Sequence, residues 1–274
     1  MNRSAFALLA APAAALFALF FALPLGVLVV ESLDDGGTAF ARVFALPTFW
    51  PSLGGSLVLT LVAVALSTSV GLAVALHLAS MPERRRTLLS FVIALPLTFS
   101  GLIVAYGFIL GWGRAGFFTQ ILAWLGADAA IVGKALFTPT GLAFASSYYL
   151  IPRVVMALLP VLVNFDRTQL AAAESLGATR AQAFRQVLLP QIAAPVAGAA
   201  CLVAAVVFGA YGTALALVGT QLRILPLQLY SLVSETGSDF PAAAALALLI
   251  TAACSAMMTA GEWFGSRHER HLAT

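Results

Sequence analysis

The stretch DRTQLAAAESLGATRAQAFRQVLLPQ, Asp166–Gln191, is polar, charged and rich in helix formers, and almost everything around it is apolar. QLAAAESL supplies a run of strong helix formers. Asp166 or Thr168 caps a first helix, and Gly177 ends it as a glycine one residue beyond the helix can. Thr179 caps a second helix, RAQAFRQVLL, which Pro190 terminates or kinks. Leu170, Ala173 and Leu176 recur at helical spacing, and so do Ala183, Phe184, Val187 and Leu188. The reading is two short amphipathic helices joined by a glycine elbow. What such a pair is for depends on the sequence that encloses it.

That sequence belongs in a bilayer. Of the 274 residues, 61% are hydrophobic and 9% are charged, with a mean hydropathy of +1.00. A soluble domain carries about 25% charged residues, so this chain cannot cover a globular surface. Six apolar runs each approach the ~20 residues a spanning helix needs. They fall at about 5–30, 53–79, 88–112, 137–163, 192–218 and 242–264. Spans and short loops use up the length, so 1–274 is expected to be one transmembrane domain. The first run follows Arg3, but its apolar core exceeds the roughly 7–15 residues of a signal peptide. It is expected to be an uncleaved span. Cys201 and Cys254 lie in apolar runs and read as small core residues, and His77, His268 and His271 are scattered.

With six spans, Arg3, Arg84, Arg85, Arg86, Arg167, Arg180, Arg185, Arg267 and Arg270 share one side. Arg42, Arg114, Lys134 and Arg223 fall on the other, and Arg153 lies within the fourth span. The richer side is the cytoplasm. Both termini are then cytoplasmic, and so is the polar loop at about 164–191, the longest on that side. A pair of helices lying on the membrane surface with no partner is the plain structural alternative for it.

The loop also carries a resemblance. Gly177, nine residues, the aliphatic Val187, one residue, then Leu189-Pro190 resembles the EAA loop of binding-protein-dependent ABC importer permeases. Ala172 and Ala173 match that motif too, with Val187 in the place of its Ile. The motif's Glu falls on Ala171, a departure, and Glu174 keeps a carboxylate one turn later. FGAYGTALALVG (Phe208–Gly219) and LRILPLQLYSLVSETGSDFPAAAALAL (Leu222–Leu248) are similar, more weakly, to the fifth span, final loop and sixth span of the polyamine, ferric-iron and thiamine importer group.

The resemblance implies an all-α membrane protein of six transmembrane helices, like a type I ABC importer permease, with a cytoplasmic coupling helix pair between spans four and five. It implies that this pair docks on a cytoplasmic ABC ATPase dimer through Ala172, Ala173, Glu174, Gly177, Arg180, Phe184, Leu189 and Pro190. Phe184 is expected to tie the loop to the membrane helices, and Glu174 and Arg180 to give rim charges. A second permease subunit, identical or paralogous, would complete the pore. A periplasmic or lipid-anchored solute-binding protein would dock outside on a rim holding Arg223, Glu235 and Asp239. The setting implied is the cell inner membrane, the cargo a small polar or cationic solute such as a polyamine, and no nucleic acid is involved. The chain would carry no cofactor, ATP and magnesium belonging to the partner ATPase.

The residues agree that ATP is not handled here. A phosphate-cradling loop needs Gly, four residues, then Gly-Lys-Ser/Thr. The Gly133-Lys134 pair is followed by Ala135, and six residues separate it from Gly126. Candidates for the passage are polar groups inside spans, which are costly in hydrocarbon: Ser100, Ser147, Tyr148, Tyr211 and Thr213. For each Ser or Thr the plain alternative is a bond back to its own helix. Arg153 either snorkels to the cytoplasmic edge or lines the passage. A stand-alone secondary transporter or channel is the competing reading. Such proteins show internal repeats and ionisable relays at mid-membrane; no repeat is evident, and Arg153 is alone in its depth.

Overall fold

The computed structural model describes residues 11–34, 36–219, 222–234 and 239–272, with the side chains of 266–272 excepted. The expected start of the first span at 5–10, and Arg3 and Glu235, lie outside the described residues. Every regular element described is helical. Helix α1 (Ala11–Leu33) is followed by a short α2 (Thr38–Ala45) and the long α3 (Phe49–Ala79). Next come α4 (Glu83–Ala94), α5 (Gly101–Trp112), α6 (Phe117–Trp124), α7 (Ala129–Ala135) and α8 (Pro139–Asn164). The loop helices are α9 (Thr168–Ser175) and α10 (Arg180–Ala183), followed by α11 (Leu189–Phe208), α12 (Gly212–Val218), α13 (Leu225–Ser234) and α14 (Phe240–Leu272).

Among the described residues six helical stretches are long and apolar enough to cross a membrane: Ala11–Leu33, Phe49–Ala79, Gly101–Trp124, Pro139–Asn164, Arg180–Phe208 and Phe240–Gly265. Helices α3 and α8 form the most extensive pair, and the seam is made by small residues. Ser52, Ser56, Thr60, Ala63, Ser67, Gly71 and Ala75 are buried along α3. A methyl at Gly71 would sit 2.7 Å from Val154 Cβ, so the two backbones approach as closely as glycine permits. The α11–α14 crossing works the same way, with Gly261 against Cys201. One core gathers α3, α8, α11 and α12. A smaller one joins Ala39, Val43 and Phe49 to Leu225, Leu232 and Leu246.

Two expected spans are interrupted. The run at 88–112 is not one helix. It closes at Ala94, passes through a 3-10 turn at Leu95–Thr98 containing Pro96, and restarts at Gly101 after extended Phe99 and Ser100. Proline removes an amide donor and crowds the preceding turn, which hydropathy does not register. Helix α5 alone, about 18 Å long, cannot span; the apolar Gly101–Trp124 stretch joins it to α6. The run at 192–218 breaks at Gly209–Tyr211, where glycine weakens helix.

Pro190 does not terminate the second loop helix, one of the two outcomes expected of it. The chain stays helical from Arg180 to Phe208, with a π turn at Phe184–Leu188 in which the Leu189 amide bonds to the Phe184 carbonyl. The wider turn accommodates the proline while the helix continues.

Candidate functional site

The loop between α8 and α11 is built by local chemistry. Asp166 accepts hydrogen bonds from the Thr168 amide at 2.9 Å and the Thr168 hydroxyl at 2.8 Å. These two bonds, the backbone one first, hold its carboxyl below the ordinary 3.8. Asp166 rather than Thr168 therefore supplies the side-chain oxygen that starts α9. At the other end Ala178 donates to the Ala173 carbonyl at 3.1 Å and Gly177 to that of Glu174 at 3.0 Å. Those two bonds define a Schellman cap, and Gly177 adopts the φ of +90° the cap requires. Two residues on, Thr179 and Gln182 form a reciprocal capping box. The elbow is thus pinned on both sides by residues within a few positions of it.

Longer bonds fasten the elbow to the bundle. The Arg167 guanidinium donates to the Ala79 carbonyl at the C-terminal end of α3, and Gln191 donates to Gln169 at 2.7 Å, joining α11 to α9. Burial is given by Ala183 and Leu188, at 2% and 6% exposure. Phe184, expected in that role, is 37% exposed. Leu176 was assigned to the packed face by its spacing, yet it is 90% exposed. The Schellman cap ends the helix at Ser175, so Leu176 leaves the helical face and stands at the tip. Ala172, Glu174, Gly177, Arg180, Leu189 and Pro190 are exposed and Ala173 is half-buried. Glu174 and Arg180 face each other across the elbow at 3.9 Å, a contact worth little in water.

The candidate passage residues fall into separate places. Ser100 caps α5, accepting from the Ile103 amide at 3.4 Å. Thr213 is buried, and a methyl on Gly101 would overlap its Oγ1. The two helix breaks therefore meet, Ser100 beside Thr213. Ser147 bonds back to the Phe144 carbonyl at 2.6 Å, the plain alternative. Tyr148 is exposed on a groove of about 350 Å³ with Phe99, Phe108, Trp112 and Phe118, its ring 6.1 Å from that of Phe108. Tyr211 lies 5.6 Å from Tyr230 of α13. Arg153 is half-buried on α8.

At the far end of the bundle, Ser56 accepts from the Leu225 amide at 2.9 Å, so α13 is seated on α3. Asp239, expected as a docking charge, pairs with Arg42 at 3.0 Å and caps α14 through the Ala242 amide. Its charge is already engaged, whereas Arg223 is exposed.

Several known proteins are similar to this chain. The spermidine/putrescine transport system permease protein PotB of Salmonella typhimurium is 32% identical over 165 residues, 60% of this chain and 55% of that protein. The sulfate permease 2 of the Chlamydomonas reinhardtii chloroplast is 32% identical over 185 residues, 68% of this chain and 48% of that protein. The chain thus matches about half the length of these relatives. The sulfate transport system permease protein CysT of Salmonella typhimurium is 28% identical over 261 residues, 93% of this chain and 90% of that one. No family model matches. In fold, the chain superposes with a TM-score of 0.76 on a chain of the bacterial alginate ABC transporter crystallised with its alginate pentasaccharide-bound periplasmic protein. That match has 18% identity and covers 96% of this chain and 93% of the other.

Proposed function

We propose that this chain, a member of the binding-protein-dependent ABC importer permeases, forms one half of a solute passage and is driven through its elbow by a separate ATPase. The chain is not itself an ATPase and nucleotide belongs to the partner. One observation carries the reading. The only sizeable polar loop among the described residues is built as a doubly capped elbow around Gly177 that presents Leu176, 90% exposed, at its tip. An apolar side chain held out on a stiff polar mount costs order and exposes hydrocarbon to water, which a docking groove would repay.

The partners follow from that arrangement: a cytoplasmic ATPase dimer on the elbow, a second permease across the passage, and a solute-binding protein on the outer face near Arg223 and α13. The inner leaflet faces the elbow. The solute is small and charged. A polyamine was the sequence expectation, and polyamine and sulfate permeases both appear among the relatives.

Co-purification tests the core of this reading. The chain, expressed with its neighbouring ATPase, should be retained as a stoichiometric complex and should stimulate hydrolysis when the binding protein is added. Solute flux through the chain alone in liposomes, with no ATPase present, rejects it in favour of a stand-alone transporter or channel.

A further inference from the structure

One face of α8 changes character part-way along. Leu142, Ser146 and Tyr149 lie on it at 1%, 1% and 8% exposure. Continuing at the same helical spacing toward the cytoplasmic end, Ala157, Pro160 and Asn164 are exposed. Arg153 stands at the change, half-buried. It marks the closed end of a face that is open on the inner side.

Its depth rules out an easy escape to water. Arg153 is eleven residues from Asn164, the last residue of α8, or about 16 Å along the axis. That is longer than the reach of an extended arginine, so the guanidinium stays short of the end of α8. The register agrees: five residues inward from the Phe108–Tyr148 ring pair lie Ile103 and Arg153, so Arg153 is level with the first turn of α5. That helix start, interrupted in mid-span, adds fractional positive charge at the same depth.

No carboxylate among the described residues is paired with this charge. Among the described residues Arg153 has no ion pair and no hydrogen bond from its side chain. Phe49–Ala79, Gly101–Trp112, Pro139–Asn164, Leu189–Phe208 and Gly212–Val218 contain no Asp or Glu; the carboxylates of the spanning stretches are Glu31 in Ala11–Leu33 and Glu262 in Phe240–Gly265, where Glu262 lines a cavity with Val161 of α8. A passage for a polyamine would be expected to offer carboxylates and to keep a fixed cation away. This one offers the reverse.

We infer that Arg153 selects the charge of the solute on the inner side of the passage, and that the solute is a tetrahedral oxyanion of the sulfate, phosphate or phosphonate class. The inference rests on the permease reading above. A guanidinium suits such a group because its planar donors match paired oxygens.

The test uses the chain assembled with its ATPase, second permease and binding protein in cells lacking their own uptake systems. Labelled sulfate, inorganic phosphate and putrescine are the probes. Uptake of sulfate or phosphate is expected, reduced at least tenfold by Arg153→Gln and restored only in part by Arg153→Lys, which keeps the charge but not the paired donors. Insertion of the chain and its co-purification with the ATPase should be unchanged in both variants. Putrescine uptake indifferent to Arg153→Gln overturns the inference and leaves the permease reading standing. An unmodified complex without stimulated hydrolysis overturns the permease reading and the inference with it. Should Arg153→Gln fail to insert, Arg153→Cys in a Cys201→Ala, Cys254→Ala background decides. Labelling by an anionic methanethiosulfonate in inside-out vesicles supports the open face; no labelling overturns it.

Discussion

Gly177 offers a clean perturbation because only its backbone matters. Its φ is +90°, and a methyl built on it meets nothing within 4 Å. Replacement therefore adds left-handed strain without any clash. For an ordinary L residue that strain is about 1–2 kcal/mol, and less for Asn, which visits this region readily. Helix α9 has only eight residues, none of them buried, so little packing holds the elbow shut and the strain is passed on nearly in full. If docking needs the formed elbow, the apparent affinity falls with the formed fraction. Gly177→Ala should then weaken ATPase binding by about 5- to 30-fold, with Gly177→Asn closer to the natural residue. Titrating the ATPase onto the permease in nanodiscs, beside an insertion control, measures this. Equal affinity for Gly and Ala, or Asn weaker than Ala, would refute the account of the elbow.

Other outcomes follow from particular contacts. Burying Leu176 on docking is worth about 1.5–3 kcal/mol, so Leu176→Ser should weaken ATPase affinity about ten- to hundredfold and leave the unfolding midpoint of the permease unchanged. Leu188→Ala should do the converse, since Leu188 is buried, lowering stability by about 2–5 kcal/mol as read by thermal unfolding in detergent. Gly101→Ala forces a methyl against Thr213 Oγ1 and should cost about 1–3 kcal/mol. Adding Thr213→Ala removes the obstructing oxygen, and a double-mutant cycle without that rescue would rule out the contact. Asp166 has its carboxyl held below 3.8 by Thr168, so its support for α9 is complete above that value and disappears as pH falls through the lower folded value. Amide exchange at Thr168 should rise on acidification through that range, and Asp166→Asn should abolish the dependence.

The elbow was legible because its chemistry is local. Gly177 and Thr179 act over three or four residues, and their caps appear where their order puts them. The passage was not legible in the same way. The break after Ala94 restarts at Gly101, whose close neighbour Thr213 lies 112 positions further on, and the Arg167 bond to Ala79 bridges 88. No periodicity reports such meetings. Leu176 shows a subtler limit: helical spacing gave it a packed face, but the cap that the same sequence specifies ends the helix one residue earlier.

Pro190 shows most clearly how local and distant structure combine. Read by itself it marks a stop, and a loop that stopped there would be a hinged pad on the membrane surface. The π turn instead carries helix through it, so Arg180–Phe208 is one rod of 29 residues, about 43 Å long. Its inner end is the elbow with Leu176 beside it. Its other end stops at Gly209–Tyr211, directly before α12, where Thr213 packs on the start of α5. The stretch holds the π turn and a second proline, Pro195, the points at which a helix bends most easily, yet no non-helical residue separates the elbow from that junction. The first non-helical residues beyond the elbow are those of the break that hydropathy missed, Gly209–Tyr211, and Pro190 leaves the chain before them helical.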